Sequence, residues 1–347
     1  MTTETRFLDR SRTRLAAVSA IALVAATVTA RFALAQDRAN PIGTGVVVIE
    51  TNLGYQSGRA AGTGQVLTSS GRILTNNHVI RGATTIKIVI PGTGRSYLAR
   101  VVGYDVTNDV AVVQATSASN LKTIALGSST KLTIGQLVKA VGNAGGTGSL
   151  TRTTGQITGL SRTITVNDDS GGTATLRNLI ETSANLQPGD SGGPLFNTAG
   201  KVIGMDSAAS SSSVYQDIST TDSYAIPINR ALAIVKQIVS GKTSAAVHVG
   251  ATAFLGISVA AGDAPQYQYA RPGVVVAAVV PGSPADSAGL TMSDLITAIG
   301  GTRVTTPDAV SRVIRSKKPG ATITVSYVDT SSSARTARVK LASGPPQ

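Results

Sequence analysis

A serine lies inside a glycine-rich segment, Gly189-Asp190-Ser191-Gly192-Gly193-Pro194. A serine acts as a nucleophile only if a base takes its proton and N–H groups hold the oxyanion that forms. Glycines on both sides allow a tight backbone path that aims the N–H groups of Gly189 and Ser191 at one point. The pattern predicts a nucleophile at Ser191 with Gly189 and Ser191 as oxyanion donors, although a glycine-rich turn with an incidental serine would show the same residues.

Two histidines could supply the base: His78, in Thr75-Asn76-Asn77-His78-Val79-Ile80, and His248. His248 falls in a stretch of small residues that predicts a linker, where a solvated histidine is expected. A lone histidine at a strand end is more often structural than catalytic, but a matching serine motif reverses that expectation. His78 is therefore predicted as the general base.

Asp109 opens the apolar run Val110-Ala111-Val112-Val113. A turn residue at the start of a strand would look the same. Beside a histidine, its carboxylate would accept the proton-bearing ring nitrogen, fix the tautomer and stabilise the imidazolium. The sequence thus offers a His78, Asp109 and Ser191 triad.

The same serine segment also fits G-x-S-x-G, the nucleophile elbow of α/β-hydrolases, which would make an esterase using His248. That elbow needs a helix directly after the serine. Here Gly192-Gly193-Pro194 is followed by Leu195-Phe196, which favours a strand. The context therefore argues against the elbow.

Two sets of short strands must position these residues. Turn residues separate the runs, and six strands are enough for a small closed barrel. The first set is predicted over 46–49, 62–67, 73–75, 85–90, 99–102 and 110–113, and the second over 137–141, 155–159, 164–166, 179–182, 193–195 and 202–205. Two packed barrels of an all-β fold are expected.

After the second set the pattern changes. An amphipathic helix is predicted over 228–240, a linker over 242–253, and a compact α+β module over 254–347. Within that module, Thr306 and Pro307 are the cap and first residue expected of a helix over 307–315. The predicted organisation is a segment over 1–35, a first domain over 36–241, the linker, and the terminal module.

Composition excludes several classes of function. The 347 residues contain no cysteine and therefore no disulfide framework, thiolate metal site or cysteine nucleophile. The formal net charge is +13, but Trp is absent and aromatic residues make up 3%, so nucleic-acid binding is not expected.

Residues 1–35 are predicted as a signal peptide. Several arginines precede a small-residue apolar run over 15–30, and Ala33-Leu34-Ala35 matches a small-x-small cleavage pattern. An uncleaved anchor is the alternative, although the run is shorter than the roughly 20 residues that span a bilayer. An exported protein is expected, with membrane contact only if this segment is retained.

These motifs, in the order His, Asp, Ser, resemble those of the HtrA (Deg) family of trypsin-like serine proteases. Further along, Phe254, Leu255, Gly256 and Ile257 resemble the carboxylate-binding loop of an HtrA-type PDZ domain. The resemblance covers about residues 45–343 and is closest to the secreted actinobacterial, PepA-like branch with one PDZ domain. The family residue before the nucleophile is usually Asn, whereas this chain has Asp190.

The resemblance implies a trypsin-like double β-barrel followed by a PDZ domain, with the triad in the cleft between the barrels. It implies a serine endopeptidase that degrades unfolded or damaged exported proteins and needs no metal or organic cofactor. C-terminal peptides would bind the PDZ loop and regulate activity. Homo-oligomers are common in the family, but 36–44 lacks the aromatic residues that often build its trimers.

By position, five residues are expected to wall the primary substrate pocket: Ala184, Asn185, Met205, Asp206 and Ser207. No Asp stands where trypsin places its Lys/Arg-selecting acid, so a small or aliphatic substrate residue is expected. A binding-only protein, a PDZ-based chaperone or adaptor with an inactive protease fold, is the alternative from another class. The complete triad favours the enzyme.

Overall fold

The computed structural model describes residues 43–55, 58–167, 173–207, 223–262 and 272–347. The predicted signal segment over 1–35 lies outside the described residues. Gly45–Gln347 form one compact unit. No helix in these ranges is both long and apolar enough to cross a membrane.

The first six strands close into a barrel, because β6 pairs with both β3 and β5. Its first strand is buried on both faces. Val47 and Ile49 fill the barrel interior, while Val46 joins an apolar cluster shared with the second barrel. The strands are β1 (Val46–Leu53), β2 (Gly58–Val66), β3 (Arg72–Thr75), β4 (Thr85–Val89), β5 (Ser96–Asp105) and β6 (Val110–Ala115).

The next six strands form a second closed barrel in the order β10-β11-β12-β9-β8-β7. The strands predicted over 155–159 and 164–166 are one long strand, β8, whose register against β9 shifts at several bulges. The sequence pattern does not predict the last strand, β12. The strands are β7 (Leu137–Gly142), β8 (Thr151–Asn167), β9 (Thr173–Thr182), β10 (Pro194–Asn197), β11 (Val202–Ser207) and β12 (Ser223–Pro227).

Two helices belong to this double barrel. Helix α1 (Asn77–Ile80) is a single turn directly after β3, where the sequence predicts the end of a strand. Helix α2 (Ile228–Val239) follows β12 and buries the predicted apolar face, including Ala231, Ile234 and Ile238, in the shared cluster. Its bounds agree with the predicted helix to within one residue.

The segment expected as a linker over 242–253 contains strand structure. Val247 is buried, and β13 (Val247–Val249) pairs with the end of β5 as an added strand of the first barrel. β14 (Thr252–Phe254) then pairs with the final strand β21 (Ala342–Gly344). The chain is therefore held to the first barrel up to the start of the terminal module.

The terminal module has its own apolar core and a sheet in the order β15-β16-β17-β19-β20, with β18 beside β17. The helix over 307–315 begins as predicted, since the Thr306 hydroxyl accepts the Ala309 N–H at the N-cap. The elements are β15 (Ile257–Ala261), β16 (Val274–Val279), α3 (Pro284–Ser287), β17 (Leu295–Ile299), β18 (Thr302–Arg303), α4 (Pro307–Arg315), β19 (Thr322–Val328) and β20 (Ala334–Lys340).

The end of the module contacts the first barrel beside α1. The Asn77 side-chain amide donates to the Gln347 carbonyl oxygen at 3.1 Å, and the Gly82 N–H donates to the Pro346 carbonyl at 2.8 Å. The rings of Tyr55 and Phe254 stack with centroids 4.9 Å apart. The module is thus joined to the barrel that carries His78.

Candidate active site

Asp109 holds His78 through both carboxylate oxygens. Oδ1 accepts the backbone N–H of His78 at 2.9 Å, and Oδ2 lies 2.8 Å from the ring Nδ1. With the proton on Nδ1, the other ring nitrogen is left as an acceptor. The His78 side chain is 39% exposed and that of Asp109 10%, so the base can be reached while its carboxylate partner is shielded.

The local backbone explains why Asp109 can turn toward α1. Asp109 has a φ of 53°, a left-handed conformation that Asp and Asn tolerate better than most residues. The Asn76 side-chain amide donates to the Asp109 carbonyl at 2.8 Å and fixes this turn against the start of α1. The Asn-Asn-His and Asn-Asp motifs are therefore joined by their own side chains.

The second barrel also reaches this carboxylate. The Ser207 hydroxyl, at the end of β11, donates to Asp109 Oδ2 at 3.4 Å. The sequence predicts Ser207 only as part of the substrate pocket. The structure places it as a link between the two barrels at the acid of the candidate triad.

Ser191 lies in the loop between β9 and β10 and is brought against the first barrel. Its carbonyl accepts the Thr63 N–H at 2.8 Å. Gly62 permits the approach, because a Cβ there would stand 2.6 Å from Val79 Cγ1 and 3.3 Å from the Ser191 carbonyl oxygen. Since Val79 follows His78 in α1, the Ser191 backbone and α1 lie against the same part of β2.

Gly189, predicted as an oxyanion donor, has a left-handed backbone conformation. Its φ is 100°, and a Cβ there would overlap the Asn143 carbonyl oxygen, so only glycine fits. The preceding Pro188 carbonyl accepts the Gly145 N–H at 2.8 Å. Because the C=O and N–H of a trans peptide point in opposite directions, the Gly189 N–H faces away from the turn at Ala144–Gly146.

Two buried polar residues of β2 support the serine loop, and sequence reasoning missed both. The Thr63 hydroxyl donates to the Gly189 carbonyl at 2.7 Å and accepts the Asn143 N–H at 2.9 Å. The Gln65 side-chain amide donates to the carbonyls of Gly192 and Gly193 at 3.2 and 3.1 Å. Polar residues inside a barrel strand gave a weak signal, but nothing local identified their partners.

The residues predicted to wall the substrate pocket do not all face one way. Neighbouring residues of a strand point to opposite faces. Met205 packs in the shared apolar cluster with Tyr224 and Ile228, whereas Asp206 lies opposite Ala225. Ala184 is buried close behind Gly155, and the Asn185 side chain accepts the Gln187 amide at 2.9 Å.

The loop predicted to bind a carboxylate contains one glycine with a positive φ. Gly256 has a φ of 88°, and a Cβ there would overlap Ser283. The Gly256 carbonyl accepts the Val280 N–H and the Leu255 carbonyl accepts the Ala285 N–H, both at 2.9 Å. In the described sheet, β15 is an edge strand and follows this loop directly, with Ile257 as its first residue.

His248 is part of the fold and not a solvated linker residue. It lies in β13, and its ring is tilted against Tyr104 with centroids 5.0 Å apart. Burial lowers its pKa, although a hydrogen bond between its Nε2 and the Ala251 carbonyl opposes this. Within the described ranges, no group of three His, Cys, Asp or Glu side chains is placed to hold a metal ion.

Comparisons with known proteins define the class. Residues 62–205 match the trypsin-like peptidase domain, and residues 253–341 match the PDZ domain. The serine protease PepD of Mycobacterium tuberculosis is 34% identical over 311 residues, which are 85% of this chain and 63% of that protein. The Do-like serine protease HtrA of Lactococcus lactis is 34% identical over 291 residues, which are 81% of this chain and 70% of that protein. The protein therefore has a trypsin-like serine protease domain joined to a PDZ domain.

The chain belongs to the HtrA family of serine proteases, as the sequence motifs predict. The matches to the first three curated relatives span only 56% to 63% of those proteins' own length. Among solved structures, the HtrA-type protease AlgW with a tripeptide is 27% identical with a TM-score of 0.49, covering 88% of this chain and 96% of that one.

Proposed function

We propose that this protein is a serine endopeptidase with His78, Asp109 and Ser191 as its triad. The observation that carries the proposal is the pair of hydrogen bonds that the Asp109 carboxylate accepts from His78, in the same barrel whose Thr63 holds the Ser191 loop. His78 takes the Ser191 proton as the hydroxyl oxygen attacks a peptide carbonyl, and Asp109 stabilises the imidazolium that forms.

The later steps use the same groups. The N–H groups of Gly189 and Ser191 hold the oxyanion of the tetrahedral intermediate. His78 then gives its proton to the leaving amine, which departs and leaves an acyl ester on Ser191. Water, deprotonated by His78, hydrolyses the ester and restores the serine. Every proton passes through one imidazole, so no metal is required.

We assign three functional parts to the chain: a protease domain over 36–241, a connection over 242–253 and a PDZ domain over 254–347. The PDZ domain takes C-terminal peptides. An extended peptide would add beside β15 while its carboxylate meets the loop at Leu255, Gly256 and Ile257. The positive φ of Gly256 supports this, because such loops present successive N–H groups to an anion.

The substrates would be unfolded or damaged exported proteins. An extended polypeptide fits a cleft between two barrels, whereas a folded chain does not present its backbone to Ser191. Export is supported by a relative from Haemophilus influenzae that is 35% identical and named as a probable periplasmic serine protease. A binding-only role is not favoured, because the hydrogen bonds between Asp109 and His78 serve no purpose in peptide holding.

Casein cleavage by purified protein tests the proposal. The wild-type chain should cut this flexible protein, and Ser191→Ala should lose several powers of ten in rate while keeping its fold. Thr130→Ala, an exposed change outside the cleft, is the matched control and should retain full activity. A Ser191→Ala protein that still cleaves after contaminating proteases are inhibited would place the nucleophile elsewhere.

A further inference from the structure

Two buried carboxyl groups lie beside Ser191, and the proposed mechanism uses neither. Asp206 in β11 is 0% exposed, and both of its carboxyl oxygens are buried without a hydrogen-bond partner. Asp190 is 4% exposed; its Oδ2 accepts the Gln187 N–H at 2.8 Å, while its Oδ1 has no partner. Three buried carboxyl oxygens without hydrogen-bond partners at one place in a fold are unusual, since buried polar atoms normally have a partner.

No counter-charge compensates these two acids among the described residues. None of the ion pairs there involves Asp190 or Asp206. Burial raises the pKa of Asp190, and it raises that of Asp206 well above its ordinary value, with the negative charge of Asp190 adding to the effect. An unpaired buried carboxylate destabilises a fold, so a functional explanation is needed.

The backbone of Asp206 places its side chain behind the nucleophile. Its carbonyl accepts the Gly192 N–H at 2.8 Å and its N–H donates to the Gly193 carbonyl at 2.7 Å. Directly opposed residues of antiparallel strands share a face, so the Asp206 side chain lies on the same side as Ala225. Ala225 belongs to the apolar cluster inside the second barrel, together with Leu186 of the segment that leads to Ser191.

Asp206 lies close to the point at which the side chain of the attacked residue begins, because its backbone bonds to Gly192 and Gly193, directly after Ser191. The carbonyl carbon that Ser191 attacks is one bond from the Cα of its residue, so that residue's side chain begins within a few ångströms of Ser191. The segment over 184–190, which leads to Ser191, and the strand β11, which bonds to Gly192 and Gly193, are the parts of the second barrel beside it. There Asp190 and Asp206 lie close to the buried apolar residues Leu186 and Ala225.

We propose that Asp206 is a specificity-determining residue whose carboxylate, reinforced by the charge of Asp190, binds a Lys or Arg side chain of the substrate residue before the scissile bond. The inference rests on the proposed endopeptidase function. It replaces the aliphatic preference expected from the sequence, because the acid is supplied by β11 and not by the position that trypsin uses. A cation is the fitting ligand, since its N–H donors satisfy both free oxygens of Asp206 and offset the charge.

Other occupants fit less well. A metal ion needs more ligands than two carboxyls, and no third His, Cys, Asp or Glu completes a group among the described residues. An apolar side chain would leave the same oxygens unsatisfied and would remove any remaining water from them. A substrate cation is the occupant that lowers the energy of both acids.

The test uses peptides that differ only in the residue before the scissile bond: Lys, norleucine or Val. Norleucine keeps the length of Lys without its charge. We expect wild-type kcat/KM to be at least tenfold higher for Lys than for norleucine, and Asp206→Asn and Asp206→Ala to bring the ratio close to one. A ratio measured within one enzyme cancels differences in active fraction. Asp308→Asn, an exposed acid on α4, is the control and should leave the ratio unchanged.

A binding measurement separates this inference from the proposed function. Benzamidine, a small organic cation, should bind the Ser191→Ala protein by calorimetry and should not bind Ser191→Ala/Asp206→Asn. A wild-type enzyme that prefers norleucine or Val, or an Asp206→Asn ratio equal to the wild-type one, would overturn the pocket assignment and leave the protease standing. Benzamidine binding without cleavage of any peptide would instead refute the protease and retain the cation site.

Discussion

The carboxylate of Asp109 bonds to both the backbone and the ring of His78, at 2.9 and 2.8 Å. The ring is thereby fixed relative to its own main chain, and not only held in a preferred tautomer. Asp109 achieves this from a left-handed backbone conformation that few other residues tolerate. One side chain thus sets the position, orientation and proton placement of the candidate base.

Asp109→Asn should lower kcat by about 10⁴-fold without unfolding the protein. Asn tolerates the φ of 53° and keeps an oxygen for the His78 N–H, but its amide cannot accept from Nδ1. The imidazole then loses both its preferred tautomer and the compensating charge. Steady-state peptide hydrolysis and thermal unfolding measure the two effects. Asp109→Ala is the comparison, and it should also lose stability because Ala is strained at that φ.

Thr63→Val tests the support beneath the oxyanion loop. Val has the size of Thr but no hydroxyl, so it leaves the Gly189 carbonyl and the Asn143 N–H without this partner. An orphaned buried group costs about 1–3 kcal/mol, which is roughly a five- to 150-fold loss in rate if it falls on the transition state. We expect the loss in kcat with little change in KM. Thr63→Ser keeps the hydroxyl and should restore most of the rate; equal losses in both variants would mean that the methyl group matters and the hydrogen bonds do not.

The PDZ domain should bind peptides with a free C-terminal carboxylate and an apolar last residue. Calorimetry with matched acid and amide forms of one peptide measures this, and the amide should show no binding. Gly256→Ala should also abolish binding, because a Cβ would overlap Ser283 and distort the loop. Gly282→Ala, at an open turn nearby, controls for a general effect of removing a glycine. Equal affinity for acid and amide would contradict the carboxylate assignment.

The buried carboxyl group of Asp206 should give the protein an unusual dependence of folding stability on pH. Its pKa is raised in the folded state by burial and by Asp190, so the folded protein binds this proton more tightly than the unfolded chain. This contribution to stability is therefore complete below the ordinary Asp pKa and is lost as pH rises through the raised value. Asp206→Asn removes the titration. Its melting temperature should exceed that of the wild type at pH 7.5, and the gain should shrink toward pH 4.5. A constant difference across this range would show that Asp206 does not titrate in it.

Much of the architecture could be predicted because its signals are local. The apolar runs of both barrels and the Thr306-Pro307 helix start are each encoded within a few residues. The sequence predicts two strands where the structure has the single long strand β8, because glycine and serine residues within it resemble a turn. In the structure these residues form bulges, and Ser161 has a φ of 55°. The contacts of Thr63 and Gln65 with the serine loop join residues 126 to 128 positions apart, and no local pattern carries that information.

The candidate site likewise combines features that the sequence predicts with features that depend on tertiary contacts. The triad members could be proposed from motif and order, since each motif is a short local segment. The opposite orientations of Met205 and Asp206 and the isolation of the Asp206 carboxyl depend on how β11 pairs with β12. That pairing is a tertiary contact, so a pocket wall named from position alone could not separate the two residues.

Active-site labelling with a fluorophosphonate tests the central claim most directly, because this reagent forms a stable adduct only with a serine that a neighbouring base activates. Mass spectrometry of the digested wild-type protein should find one adduct, on the peptide that contains Ser191. His78→Ala should lose the adduct while keeping the wild-type circular dichroism, and Ser191→Ala should show none. An unlabelled wild-type protein, a label on another residue, or full labelling of Ser191 in the His78→Ala protein would contradict the proposed triad.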